Sequence, residues 1–455
     1  MIRLTYTAPE EHSRVSMPVS KSMATRAMLL AALGGRNPRE VSLTTPLCDD
    51  LAIIMQAATA IYKKQTRVDL DIHDSGTAKR FLTAIFAAIP GMEVTLHMSD
   101  RLAGRPIGAL LDALAQFGAT DIRQEGNTLY IKGTRIQTPK KPVKIPADTS
   151  SQVISALMLA NILGTAPVTI HALKPIASGS YIKMTAEMMI QAGVPTKGYR
   201  SKAYKAFKAE NTVPTAIPAT EADWSAAAAF YEYSALSMQS VLLTGHYPKP
   251  SLQGDDSCDF LFTWIDVVTM YDEDNEGFVI QPFESDGQLI GITIPGEDQQ
   301  EISELLASLR EMDDVLESLH LSENPDLVPY IVVACALKGL KFKIHEVGQL
   351  RFKESDRLEA LRAEMAKFGI HLTLTGDTIS WGGGEEPHAP TEPLSSHGDH
   401  RIAMALAMAA PRFPGEALLL DEGDCVAKSF PGFWNILPRL GINIEEVPSN
   451  NPFKA

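Results

Sequence analysis

Cysteine is scarce in this chain: Cys48, Cys258, Cys335 and Cys425 are the only 4 in 455 residues, scattered and without a Cys-x-x-Cys pair. That pattern excludes a disulfide framework and a structural zinc site, and reduced thiols point to a cytoplasmic protein. Basic charge is in deficit as well, 41 Lys and Arg against 55 Asp and Glu, for a formal net charge of −14. A general nucleic-acid binder needs a broad basic surface to displace counterions, so that class is excluded and any anion site has to be local. No apolar run approaches the roughly 18 residues that cross a bilayer. The opening Met1-Ile-Arg-Leu-Thr-Tyr-Thr7 lacks the apolar stretch and small-residue cleavage site of a signal peptide and reads as a short strand. A Gly-x-x-x-x-Gly-Lys-Ser/Thr loop is absent too, which argues against nucleotide-dependent phosphotransfer. What remains is a folded chain, 45% hydrophobic with 7% aromatic residues, long enough for about two to three domains.

One local pattern recurs: an amphipathic helix, then Gly in the place of a left-handed C-cap, then a β-branched strand. It runs from Ile107 to Gly118, from Tyr181 to Gly193, from Ser355 to Gly369 and from Phe433 to Gly441, with a weaker copy at Asp49 to Tyr62. The spacing predicts an α/β chain of two halves, each using a βα-type unit about three times. A boundary is expected in the Pro-rich stretch Pro214 to Asp223, after the basic segment Lys197 to Lys208. The acidic stretch from Tyr271 to Glu317 reads as a solvated insertion, with strands near Gly277 to Ile280 and Leu289 to Ile294 and a helix near Ile302 to Met312.

The chemistry-bearing residues gather where helices begin. Lys21, Ser22 and Arg26 open an otherwise apolar helix after Ser20. Free N–H groups and the helix dipole already favour an anion there; the alternative is a solvated end capped by Ser20. Ser75-Gly76-Thr77-Ala-Lys79-Arg80 precedes the apolar run from Phe81 to Ala88, and Arg105-Pro106 leads into the next helix. Asp148-Thr-Ser150-Ser151-Gln152 puts hydroxyls at a helix start, more than capping requires. Gln349, Lys353, Glu354 and Arg357 come before another helix, with Lys353 and Arg357 expected at i and i+4 on one face, where like charges repel unless an anion lies between them. Arg401 and Lys428 precede the last helices. Asp326 stands just before the apolar run around Ile331 to Leu337 and reads either as its N-cap or as a catalytic carboxylate; Glu354 reads either as a surface ion-pair partner or as an acid or base. The pair His397-x-x-His400 lacks further ligands, so hydrogen-bonding histidines and no metal are expected. So many cation-bearing helix starts in an acidic chain point to one highly anionic substrate pair.

Taken together, these motifs resemble those of the enolpyruvyl transferase family, in the branch whose acceptor is shikimate 3-phosphate. The resemblance rests on Ser-Lys-Ser with Arg26 following, Ser-Gly-Thr-Ala-x-Arg at 75–80, Arg-Pro-Ile-Gly at 105–108, Ser-Ser-Gln at 150–152, Lys-Glu-x-Asp-Arg at 353–357, Asp-His-Arg at 399–401 and Ala-Lys-x-Phe-Pro at 427–431, in order from Pro18 to Pro431. It implies two similar domains, residues 1–20 with 223–455 and residues 21–222, each of three βαβαββ-type units in an inside-out α/β barrel, with the active site in the cleft between them. It implies transfer of the enolpyruvyl group of phosphoenolpyruvate to the 5-hydroxyl by addition and elimination, without cofactor, in a cytoplasmic monomer of aromatic amino acid biosynthesis. By resemblance, shikimate 3-phosphate would be bound by Lys21, Ser22, Arg26, Ser150, Ser151, Gln152, Ser178, Tyr181, Asp326, Gln349 and Lys353. Phosphoenolpyruvate would be bound by Lys21, Gly76, Arg105, Gln152, Arg357, Arg401 and Lys428, with Asp326, Glu354 and Lys21 catalytic.

The chain departs from the family pattern at Val19 for Gly, Asp74 for Asn, Phe81 for Pro, Gln349 for Asn and Gly398 for Asn, none of which removes a charged group. Retained Gly76 implies sensitivity to the phosphonate inhibitor glyphosate, with Phe81 placed to modify it. Transfer to UDP-N-acetylglucosamine is the rival within the family, but its enzymes carry a Cys in the loop matching Ser99 to Arg105, where this chain has none. A non-catalytic anion-binding protein is the rival from another class; retention of both Asp326 and Glu354 argues against it.

Overall fold

A computed structural model describes residues 1–10, 12–44, 46–146, 151–173, 176–198, 206–272, 276–284, 287–290, 306 and 315–448. The chain divides into two compact units: the first joins Met1–Pro18, Ala222–Ser251 and Asp255–Ala455, the second Val19–Glu221 and Leu252–Gly254. The fold is mixed α/β, made of small sheets and short helices.

In the second unit, Arg67–Asp71 runs parallel to Glu93–His97, which pairs antiparallel with Thr128–Lys132, which pairs antiparallel with Ile122–Glu125. Helix α3 (Gly76–Ala87) connects the parallel pair, and α4 (Asp100–Ala103) and α5 (Gly108–Gln116) lead to the hairpin. The same order returns with Val143–Ile145, Val168–Ala172, Ala206–Ala209 and Thr196–Lys197, connected by α6 (Ser151–Ala160) and α7 (Gly179–Gln191). Helices α1 (Lys21–Leu33) and α2 (Asp49–Tyr62) precede both copies. Parallel neighbours need a crossover, and a helix is the compact way to make one.

The first unit repeats the arrangement. Ser13–Ser16 lies parallel to Val241–Thr244 beside the antiparallel Gly277–Pro282 and Val267–Asp272, with α8 (Trp224–Ser237) and α9 (Cys258–Leu261). Leu319–His320, Phe342–His345, Thr378–Trp381 and Thr373–Thr375 follow in the same order, with α10 (Val328–Lys338) and α11 (Arg357–Lys367). In the last copy, Leu394 bridges in parallel to Ala417–Leu420 across α12 (His400–Met408), α13 (Phe433–Ile436) leads to Ile442–Glu446, and the opening strand Ile2–Tyr6 takes the place between them. The C-cap glycines Gly118, Gly193, Gly369 and Gly441 all sit in the left-handed region. The structure differs at the last one: a single α turn and a 3-10 turn, Leu437–Leu440, stand where one longer helix was expected. In the acidic stretch Gly277–Pro282 is a strand, while most of 291–314, including the expected helix, lies outside the described residues. No helix among the described residues is long and apolar enough to cross a membrane.

Each unit has its own apolar core. At the centre of the first lies α8, buried from Trp224 to Leu236, where the small side chains of Ala226 to Ala229 allow close packing of α10 and α12. The same helix carries Glu232, fully buried, with neither carboxyl oxygen hydrogen-bonded. Burial holds this carboxyl well above its ordinary 4.5, so it is a neutral acid. A raised folded pKa means that stability falls as pH climbs above 4.5, because only the unfolded chain gives up the proton. Glu232→Gln removes that dependence. Its stability relative to the parent is expected to grow as pH rises above about 5, by up to about 1.4 kcal/mol per pH unit while the buried acid keeps its proton, measured by urea denaturation; a constant difference would contradict a neutral Glu232.

Candidate active site

The repeated unit explains why cations sit at helix starts: α3, α6, α10, α11 and α12 each begin at the end of a strand or loop that brings a motif with it. In the second unit, Lys21 is the first residue of α1 and its ammonium lies 2.8 Å from Asp50 Oδ2 in the first turn of α2. Ser20 occupies the N-cap position, but its side chain makes no capping hydrogen bond, so the capping reading of that helix start is set aside. Arg26 is buried; its Nε donates to Thr185 Oγ1 at 2.7 Å, and its terminal nitrogens donate to Ser22 O at 2.8 Å and Tyr181 O at 3.3 Å. It also lies 5.2 Å from the centre of the Phe81 ring, a contact that a proline at 81 could not make. Burial pushes its guanidinium down to about 10, which leaves it charged at neutral pH.

Gly76 opens α3, with Ser75 Oγ accepting from the Ala78 N–H at 3.3 Å. A Cβ at Gly76 would lie 2.7 Å from Arg105 Nη1 and 3.2 Å from Arg80 Nη1, so its absence lets two guanidinium groups pack over the helix start. Arg80 donates to Gln152 Oε1 at 2.8 Å, and Gln152 Nε2 donates to Thr77 Oγ1 at 3.1 Å, which ties α6 to α3. Asp74, the second departure, accepts from Ser99 Oγ and pairs with Arg101 at 3.0 Å, anchoring the loop before Arg105. Ser151 begins α6, buried; Ser150 lies outside the described residues. Ser178, just before α7, is held in the left-handed conformation at φ 61°, which is strained for a residue with a side chain, and Tyr181 is one turn on.

In the first unit the cations converge on carboxylates. Asp326 Oδ1 lies 2.8 Å from Arg357 Nη1 and 3.6 Å from Lys353 Nζ, and Oδ2 lies 3.6 Å from Arg401 Nη2. Asp326 is not the cap of α10, since Leu327 holds that position and no side chain caps the helix. Lys353 and Arg357 do not share a helix face either: Lys353 is extended after a 3-10 turn and α11 starts only at Arg357, and it is Asp326 that they share. Glu354 lies 3.0 Å from Lys428 Nζ and 3.2 Å from Arg357 Nη2. Arg401 donates to Ser225 O at 2.8 Å and to Tyr330 OH at 3.4 Å. Gln349 is buried and donates to Ser322 O at 3.4 Å. Burial alone would raise the Asp326 carboxyl, but Lys353, Arg357 and Arg401 outweigh it and hold it well below the usual carboxylate range.

Asp399 was missed from sequence, although it stands in the Asp-His-Arg motif. Fully buried, it grips Arg357 through two hydrogen bonds of 2.8 and 3.2 Å, caps α12 through the Arg401 N–H at 2.9 Å and accepts from Ser355 Oγ at 3.2 Å. Asp50 was missed as the partner of Lys21; its only signal was an acid in the first turn of a helix. His397 hydrogen-bonds Glu364 at 2.8 Å, and His400 is buried beside Asp399. Among the described residues no group of three or more His, Cys, Asp or Glu could hold a metal ion.

Residues 10–437 match the family model described as EPSP synthase (3-phosphoshikimate 1-carboxyvinyltransferase). The chain is 30% identical over 453 residues to a 3-phosphoshikimate 1-carboxyvinyltransferase of Bacteroides fragilis, covering 98% of this chain and 99% of the relative. It is 31% identical to the protein of the same name from Syntrophobacter fumaroxidans, with coverage of 94% and 97%. Among solved structures it resembles an EPSP synthase from Acinetobacter baumannii, with a TM-score of 0.65 at 18% identity, over 98% of this chain and 100% of that one.

Proposed function

This chain belongs to the EPSP synthase (3-phosphoshikimate 1-carboxyvinyltransferase) family, and from that premise we propose that it transfers the enolpyruvyl group of phosphoenolpyruvate to the 5-hydroxyl of shikimate 3-phosphate, releasing phosphate. The observation that supports this reading best is the Asp326 cluster, one carboxylate shared by cations from a loop and two helix starts. Phosphoenolpyruvate carries a carboxylate and a phosphate on three carbons, so several fixed guanidinium and ammonium groups are needed to desolvate and orient it. In this proposal Arg105, Arg357, Arg401 and Lys428 take phosphoenolpyruvate, with Gly76 and Gln152 shaping its site. Ser22, Arg26, Ser150, Ser151, Ser178, Tyr181, Gln349 and Lys353 serve shikimate 3-phosphate, and Lys21 serves both. Each unit is further proposed to be an inside-out α/β barrel of three repeats.

The chemistry follows from charge. The 5-hydroxyl oxygen attacks C2 of phosphoenolpyruvate while its proton goes to Asp326 and C3 gains a proton. Then the C2–O bond to phosphate breaks and C3 returns a proton, leaving the enol ether. Glu354 and Lys21 are the proposed carriers of the protons at C3 and at the departing phosphate. Asp326 is a weak base while three cations hold it; substrate anions that draw those cations away raise its basicity toward the range a general base needs. Substrate binding therefore switches the base on.

Gly76→Ala tests the assignment at α3. The added carbon displaces the Arg105 guanidinium rather than backbone, so KM for phosphoenolpyruvate is expected to rise about 10- to 100-fold and glyphosate inhibition to weaken, at a melting temperature within about 2 °C of the parent. The reaction itself is tested by phosphate release from phosphoenolpyruvate, which should require shikimate 3-phosphate and fail with UDP-N-acetylglucosamine. Release with the latter alone, or with neither, overturns the proposal.

A further inference from the structure

Lys79 lies between the motif residues Gly76 and Arg80, yet it has no part in the proposed reaction. It is 1% exposed, sits in the second turn of α3 and has its ammonium surrounded by main chain: Nζ donates to Leu102 O at 2.8 Å, Arg105 O at 2.9 Å and Ala103 O at 3.3 Å. Three donors meet three acceptors. Two of those carbonyls close the C-terminal end of α4, where a cation is favoured, and the third belongs to Arg105 itself. Everything else about the position disfavours charge. The group lies near the positive end of α3, and Arg80 on its own helix and Arg105 on the loop both repel it. Of the elements packed against α3, α6 has no charged residue, Asp50 of α2 is engaged by Lys21, and Asp49 of α2, Asp112 of α5 and Lys132 are exposed. An apolar side chain would fill this space at lower cost.

We propose that Lys79 is a positioning residue for Arg105, its ammonium stitching the loop that carries Arg105 onto α3 and adding positive charge beside the phosphoenolpyruvate subsite. The proposal rests on the assignment of Arg105 to phosphoenolpyruvate. Burial first, then repulsion from Arg80 and Arg105, pushes the Lys79 ammonium down to about 8. Loss of its proton leaves two donors for three carbonyls and removes a charge from the subsite, and both effects weaken the hold on an anion. The charged form binds more tightly, so affinity is full below this pKa and is lost as pH rises through it. Bound phosphoenolpyruvate in turn offsets the repulsion and favours proton uptake.

The test is the pH dependence of KM for phosphoenolpyruvate in the full-length protein. In the parent it should be flat up to about pH 7 and rise above about 8 by as much as tenfold per unit, while kcat and KM for shikimate 3-phosphate change less than about twofold. In Lys79→Met, KM for phosphoenolpyruvate should already be raised about tenfold at pH 7 and the rise above 8 should vanish. Lys79→Gln, which keeps a donor, should be intermediate at pH 7 and equally flat. A parent profile flat to pH 9, or Lys79→Met with the parent's KM and profile, overturns the proposal. Arg105→Ala separates the two layers. If it raises KM while Lys79→Met does not, only the role of Lys79 fails; if neither changes KM, the Arg105 assignment fails and the role of Lys79 with it.

Discussion

Asp326→Asn should lower kcat by about 10²- to 10⁴-fold, the range of a lost general base, while binding of shikimate 3-phosphate changes by less than about tenfold. The asparagine keeps the shape of the side chain and an acceptor for Arg357, now 2.8 Å away, so the fold is retained. What goes is the capacity to take a proton. The variant also deprives Arg357 and Arg401, the cations proposed for phosphoenolpyruvate, of a charged counterion they share, so KM for phosphoenolpyruvate is expected to fall or stay level, because the substrate anion no longer competes with a carboxylate for them. Steady-state kinetics with both substrates varied decides the matter. Unchanged turnover would remove Asp326 from the mechanism, and a KM rise with normal kcat would make it a binding residue only.

Asp399→Ala should have the larger effect on the protein itself. Its carboxylate is wholly buried and answers an Arg357 that is 1% exposed, through paired hydrogen bonds, while also capping α12. Arg357 would be left with Asp326 and Glu354 alone, both partly open to solvent. Removing one partner of a buried ion pair costs about 3–5 kcal/mol, and loss of the cap adds about 1 kcal/mol. Urea denaturation should show that loss, and kcat/KM for phosphoenolpyruvate should fall at least about 100-fold because Arg357 and Arg401 both lose their aim. Asp399→Asn, which keeps the cap but not the charge, should recover part of the stability and little of the activity. Equal stability of parent and alanine variant would show that Arg357 is held by its other partners.

Local signals carried well into the structure. The four C-cap glycines were legible because only a left-handed residue ends these helices and lets the chain turn into the next strand, a requirement that acts within five residues. Motifs at helix starts were legible for the same reason. Other inferences failed because they assumed local geometry where partners were distant. Asp326 was open between a helix cap and a catalytic carboxylate, and the cap alternative fell because its partners are distant cations; Lys353 and Arg357 looked like one helical face but meet at Asp326, some 30 residues earlier. Nothing near it in the chain singled out Lys79, and its three carbonyls come from the end of α4 and the Arg105 loop, more than 20 residues away.

By itself the amino-acid order determined the class of fold, the recurrence of one βα unit and the inventory of cations at helix starts, because helix caps, strand periodicity and charge are properties of short stretches. Only tertiary structure decided which carboxylates answer those cations. Asp50 for Lys21, Asp326 for Lys353, Arg357 and Arg401, Glu354 for Lys428 and Asp399 for Arg357 are settled by which helix starts the sheets bring together. A buried charge must find its partner in space, and spacing along the chain does not say where that partner is.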